Sequence, residues 1–423
     1  MSRIKKTYLN LYVFVLALYV YFNKGVAYSF LAETVLVLGV LLILFDRKRF
    51  EILWEKRTYL LVLFLIITTA FLLKGLMNYS WFNVVRDAFM FYYLIFVFII
   101  FLFKEELPYL INRIVLIYKW FPVVACISFL TLSYFPFSDE IKFFGNNPLL
   151  LYKFGDMAVH LFISTILLLS GYIRFSKRFL LLNSILIVYL FFIISTYSRG
   201  GMLAFVCAIL IFLFFVKDQN IKKMFSYYGK FLLLIILFTF PIFLATKVKE
   251  NFQGRILGVE QLKENIVSIV NPNAEGTLSD NKIWRLIWWT KIIQYTFGGE
   301  YFFQGKGLGM SLVSADEIVT DDLELRSPHN FHLNVLARFG VPIFLLWLGW
   351  LYFNFKNLWT KNENKFLLII LSIMSAFVIN AAFDVFFEGP MGAFPFWTFV
   401  GIYYVAETFE IPINPEIISK ANN

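Results

Sequence analysis

Apolar runs of roughly 16 to 22 residues recur along the whole chain, separated by short polar connections, and each is long enough to cross a ~30 Å hydrocarbon core as a helix. About twelve such spans can be placed. They lie near 8–23, 27–45, 58–74, 84–103, 114–134, 157–173, 179–195, 202–216, 231–246, 329–353, 366–386 and 393–407. The pattern predicts an all-α, polytopic integral membrane protein. Composition agrees: 60% of the residues are hydrophobic and 16% charged, where a soluble domain carries about 25% charge. Four segments follow: 1–246 with the first nine spans, a large hydrophilic segment 247–328, 329–407 with the last three spans, and a short polar tail 408–423.

The net charge of +10 does not point to nucleic acid, because the basic residues cluster in short connections between apolar runs. Lys and Arg concentrate in alternate connections, and the opposite connections carry few: Lys24, Lys74, Arg86, Lys142, Lys153 and Arg199. The positive-inside rule then puts both termini in the cytoplasm and turns the 247–328 segment outward, together with Arg86, Arg199, His329 and Asp384. The basic start, Met1 to Lys6, followed by an apolar run resembles a signal peptide, with Gly25-Val26-Ala27 as a poor cleavage site. A second span follows at once, so the first is expected to be retained. Cys126 and Cys207 both fall inside apolar runs, which leaves no disulfide framework and no metal spacing.

The stretch from Ser327 to Gly340 holds two of the chain's three histidines, His329 and His332, where the hydrophilic segment gives way to an apolar run. Pro328 suits the first turn of a helix, on which the two histidines would share a face. An imidazole titrates near neutrality, which makes His329 a candidate general base, with Asn330 placed to orient a sugar hydroxyl. The alternative is a buried histidine satisfied by hydrogen bonds. A metal site of His329, His332 and Asp321 or Asp322 lacks an evident further strong ligand.

Arg199 occupies a short outer turn, Thr196-Tyr197-Ser198-Arg199-Gly200-Gly201, and its guanidinium fork matches phosphate oxygens. Arg285 lies in a Trp-rich stretch where Trp284, Trp288 and Ile292 recur at helical spacing, which predicts an amphipathic helix at the membrane interface. For both arginines the alternative role is anchoring to lipid headgroups. Gly305, Gly307 and Gly309 form a run that lacks nucleotide-loop spacing. Glu33, Asp87, Asp384 and Glu388 are acidic candidates near outer helix ends, with Asp87 a pairing partner for Arg86. His160 reads as structural, and Lys142 and Lys153 are expected to matter little.

In order and kind these features resemble the O-antigen ligase and polymerase superfamily of bacterial surface-glycan assembly. The shared features are the Thr196–Gly201 turn opening a span, one large outer loop with Arg285 in a Trp-rich helix, the Gly305/Gly307/Gly309 run, and His329-Asn330 followed by Gly340. The ligase pattern has a second Gly three residues after the first, where this chain has Ile343. The resemblance spans roughly residues 190–400. It implies a glycosyltransferase of the GT-C type in the bacterial inner membrane, acting at the periplasmic face without a metal or other cofactor. The donor would be an oligosaccharide on undecaprenyl pyrophosphate. The acceptor would be a second lipid-linked repeat unit for a polymerase, or lipid A–core for a ligase. A chain-length regulator is an implied partner. Arg199, Arg285 and Arg86 would then meet the donor pyrophosphate, with His329 and Asn330 on the acceptor side.

A lipid-linked glycan flippase is the alternative from another class, and a non-catalytic assembly partner is a third. Transporters usually carry polar groups and broken helices near the midplane, with internal symmetry. Here the span centres are poor in charge, the halves look unlike, and one outer segment dominates.

Overall fold

The computed structural model describes residues 3–46, 55–135, 140–143, 148–150, 152–217, 236–237, 239–241, 259–270, 277–318, 325–360 and 363–415. Its helices in chain order are α1 (Arg3–Phe22), α2 (Leu31–Phe45), α3 (Lys56–Leu76), α4 (Trp81–Tyr92), α5 (Ile95–Phe101), α6 (Leu107–Tyr134), α7 (Phe154–Leu169), α8 (Lys177–Tyr197) and α9 (Arg199–Phe215). They continue with α10 (Val259–Val270), α11 (Thr277–Phe297), α12 (Leu312–Ala315), α13 (Phe331–Phe355), α14 (Asn357–Thr360), α15 (Lys365–Ala381) and α16 (Pro390–Thr408). Among the described residues there is no strand, only an isolated bridge between Lys142 and Pro148.

Among the described residues, five helical stretches are long and apolar enough to span a membrane: Arg3–Val26, α3, α6, α8 and Phe331–Thr360. The pair α4 and α5, bent by 45°, makes a sixth, and α2, α7, α9 and α15 are shorter apolar helices. This supports a polytopic membrane protein. Each expected span falls on one of these helices or on α16, except the ninth, near 231–246, most of which lies outside the described residues.

One apolar cluster runs through the bundle, from Tyr12 and Tyr19 of α1 to Phe394 and Trp397 of α16. A smaller one, of Trp288, Ile292, Leu312, Leu336, Ala337 and Val341, fastens α11 onto α13. The Trp288/Ile292 stripe therefore faces protein and not lipid headgroups. The face of α11 left exposed is the other one, with Ile283, Leu286, Ile287, Ile293 and Phe297.

Two local rules place the functional end. Ser198 is the only residue between α8 and α9, and its Oγ accepts the Gly201 N–H at 3.0 Å, the bond expected of a serine N-cap. A Cβ on Gly200 would come 2.6 Å from Phe383 Cβ, and one on Gly201 would come 2.9 Å from Gly155 Cα. The two glycines thus let α9 begin against both the start of α7 and the 382–389 connection. The second rule concerns α13, which starts later than Pro328 suggests. Asn330 is its N-cap, accepting from Leu333 N at 3.1 Å. His329 sits before the helix in the left-handed region (φ 49°), and its N–H donates to Ser327 O at 2.9 Å across Pro328. The expected shared face of His329 and His332 is lost for that reason.

Candidate active site

The starts of α7, α9 and α13 gather around the connection between α15 and α16, so their positive dipole ends point into one region. Asp384 is at its centre. Asp384 Oδ1 accepts from Val385 N at 2.7 Å and from Lys153 Nζ at 3.2 Å, and lies 3.5 Å from His329 Nδ1. Burial opposes its charge, yet Lys153, His329 and the Val385 N–H together hold its carboxyl well below the usual carboxylate range. An ionised Asp384 beside Nδ1 favours the tautomer with the proton there, leaving Nε2 as a proton acceptor. Trp284 packs edge-on to the His329 ring, with centroids 6.1 Å apart.

Arg285 reaches the same region from α11. Its Nη1 donates to Phe383 O at 3.4 Å, and its guanidinium lies 5.6 Å from the Trp284 ring centroid. Its Nε is buried with no hydrogen-bond acceptor among the described residues. Burial lowers its affinity for its proton, Asp384 raises it, and the nearby Arg199 charge lowers it again. Arg199 and Arg285 are therefore electrostatic neighbours in a half-buried setting, where burial also works against the Arg199 charge. Such a pair is relieved by an anion.

Arg86 is elsewhere. It is exposed on α4 and repels Arg326, in a second cluster. There Asp87 pairs not with Arg86 but with Arg338 (2.8 Å) and Arg326 (3.4 Å), and it accepts from Gly309 N at 2.9 Å. Gly305, Gly307 and Gly309 all have positive φ. Their N–H groups go to Tyr301 O, Arg338 O and Asp87 Oδ2, so the run is a clasp and not an anion nest.

His332 is committed on both nitrogens. Trp347 Nε1 donates to its Nδ1 at 3.0 Å, and its Nε2 donates to Val378 O at 3.1 Å. Asn330 spends its side-chain oxygen on the helix cap. Asp321 and Asp322 lie outside the described residues. Glu388 accepts from Ser327 Oγ at 2.8 Å and from Asn334 Nδ2 at 2.6 Å, which ties the His329 turn to the start of α16. His160 is fully buried, its Nδ1 3.1 Å from Tyr118 OH.

The residue that sequence reasoning missed is Lys153. In the sequence it is one of several basic residues in an outer connection, expected to matter little, and in the structure it sits on Asp384. The available signal was its place just ahead of an apolar run that opens with Asp156.

No curated protein matches the chain. Residues 184–348 match the model of a family described as O-antigen ligase. The matched stretch contains Arg199, Arg285, His329 and Asn330 and stops before Asp384. That family covers ligase- and polymerase-type enzymes that are glycosyltransferase-like, which supports an enzymatic role in polysaccharide assembly. Over that stretch, well under half of its length, the chain is similar to the O-antigen ligase/polymerase superfamily.

Proposed function

We propose that the protein is a polysaccharide polymerase of the GT-C type, with about twelve spans, in the bacterial inner membrane. It transfers a glycan from undecaprenyl pyrophosphate to a second lipid-linked repeat unit at the periplasmic face. The observation that carries this reading is the meeting of His329, oriented by Asp384, with the guanidinium pair Arg199 and Arg285, the buried Nε of Arg285 having no acceptor among the described residues. An acceptor hydroxyl gives its proton to His329 Nε2 as its oxygen attacks the anomeric carbon. The bond from that carbon to the phosphate oxygen breaks, and undecaprenyl pyrophosphate leaves with the electron pair. The growing negative charge on the diphosphate falls to Arg199 and Arg285, whose bidentate forks suit it. Asn330 keeps its amide NH2 for the acceptor. Arg86, with the second cluster, has the weakest claim on the pyrophosphate.

Polymerase is preferred because Ile343 stands where the ligase pattern has a glycine. The ligase reading, with lipid A–core as acceptor, is favoured by the description of the matching family. Surface-glycan analysis of a deletion strain decides. Single-repeat capping is the polymerase result, and full-length glycan left on the carrier lipid is the ligase result. Lipid-linked units stranded on the cytoplasmic leaflet would make the protein a flippase and overturn both.

A further inference from the structure

Lys153 is fixed at both ends. Its backbone N–H donates to Asn23 Oδ1 at 3.0 Å, and Asn23 Nδ2 donates to Asp156 Oδ2 at 3.2 Å. Its carbonyl accepts from Asp156 N and Met157 N, both at 3.1 Å, as α7 begins. Asn23 itself is buried and held at φ 44° in the short turn after α1. The ammonium then straddles the Asp384 carboxylate, 3.2 Å from Oδ1 and 3.5 Å from Oδ2, with 21% of each side chain exposed. A surface ion pair between two mobile side chains has none of this bracing.

We propose that Lys153 is a positioning residue for this site: it turns Asp384 toward His329 and offsets that carboxylate's charge beside the imidazole. The proposal deepens the glycosyl-transfer reading and rests on it. The physical need is clear from the neighbours. An unopposed carboxylate beside an imidazole stabilises the imidazolium and makes a poor base at neutral pH. The Lys153 ammonium shares the very oxygen that His329 faces, so the carboxylate orients the ring while its charge is largely matched. The other charges around the group are Arg285 from α11, Arg199 from α9, Asp156 from α7 and Glu388 from the 382–389 connection. Burial works against the Lys153 charge, but Asp384, Asp156 and Glu388 more than restore it, so the ammonium persists at working pH.

The chain has only three histidines, so each imidazole signal can be assigned by single substitution in the ¹⁵N-labelled, full-length protein in lipid nanodiscs. Titration of His329 is compared in the wild type, Lys153→Met, Lys153→Gln and Lys153→Arg. The neutral variants should raise its midpoint by about one pH unit, and Lys153→Arg should leave it near the wild-type value. Adding Asp384→Asn to Lys153→Met should bring the midpoint back down. The His160 and His332 signals report folding, and the two neutral variants differ in packing and polarity, so either one decides. An unchanged midpoint in a folded neutral variant overturns the proposal. The titration needs no donor or acceptor. It is thus separate from the functional reading, which fails instead if the wild type transfers no glycan or His329→Ala transfers it at full rate.

Discussion

His329 Nδ1 stands 3.5 Å from Asp384 Oδ1, bringing a left-handed residue ahead of α13 onto the connection between α15 and α16. If the two act as one unit, their losses should not add. His329→Ala should lower the transfer rate by roughly a hundredfold or more, the usual worth of a placed base. Asp384→Asn should approach that loss, because it removes the charge that fixes the tautomer. The double variant should be little worse than His329→Ala alone. Single-turnover rates with a lipid-linked donor measure all three, and fully additive losses would separate the residues.

The donor side makes a different demand. Arg199→Lys and Arg285→Lys keep the charge but lose the fork, and each should cost roughly a hundred- to thousandfold in rate, about 2.7–4 kcal/mol. Arg86→Lys, exposed and beside Arg326, should cost much less. Rates at saturating donor check this. Full activity in both Arg199→Lys and Arg285→Lys would return these side chains to helix anchoring.

How much of this was legible in the sequence differs by level. The helices were legible because long apolar runs favour them, and the expected ranges fall on helices wherever they are described, with five or six of those long and apolar enough to cross a bilayer among the described residues. His329, Arg199 and Arg285 were legible because each chemical type stood out at a boundary between polar and apolar sequence. Asp384 was one acidic candidate among several. Its selection required knowing that Gly200 lets α9 pack against Phe383, a contact across distant segments. Lys153 was harder to read for the same reason, since the nearby Asp156 is only part of its setting and the rest comes from Asn23 and Asp384. The Trp stripe misled because Trp288 suits a membrane interface and a protein interior equally, and only the docking of α11 on α13 decides between them.

His332 should prove structural. Both of its nitrogens are bonded, to Trp347 and Val378, so His332→Ala orphans a buried donor and a buried acceptor at about 1–3 kcal/mol each. The thermal midpoint in detergent should fall clearly. Transfer per folded molecule should stay far above that of His329→Ala.

Asp87 binds two arginines and a glycine N–H, with 6% of its side chain exposed and Arg338 at 1%. Asp87→Ala would strand the Arg338 charge in the interior, which costs about 3–5 kcal/mol. Poor accumulation of folded protein at 37 °C is the expected outcome. A second-site Arg338→Met substitution should restore part of the loss, because removing both charges is far cheaper than removing one.

Glu388 should leave a signature in the pH dependence of stability. Burial pushes its carboxyl from its ordinary value of 4.5 up to about 7; Arg338, the Ser327 hydroxyl and Lys153 pull it back, and Asp87 adds to the rise. The folded state therefore binds this proton more tightly than the unfolded state does. The resulting stability is fully present below about pH 4.5 and is lost as pH rises through about 7. Asp384, held low, stays ionised across that range and adds no slope. The thermal midpoint in detergent should thus decline between about pH 5 and 8 in the wild type. Glu388→Gln carries no titrating proton and should make the decline shallower, while its amide can still accept from Asn334 Nδ2 and donate to the Ser327 hydroxyl. Equal slopes in the two proteins would assign the pH dependence to another group. A flattened slope with slower transfer would show that the Ser327 tie also holds the His329 turn in place.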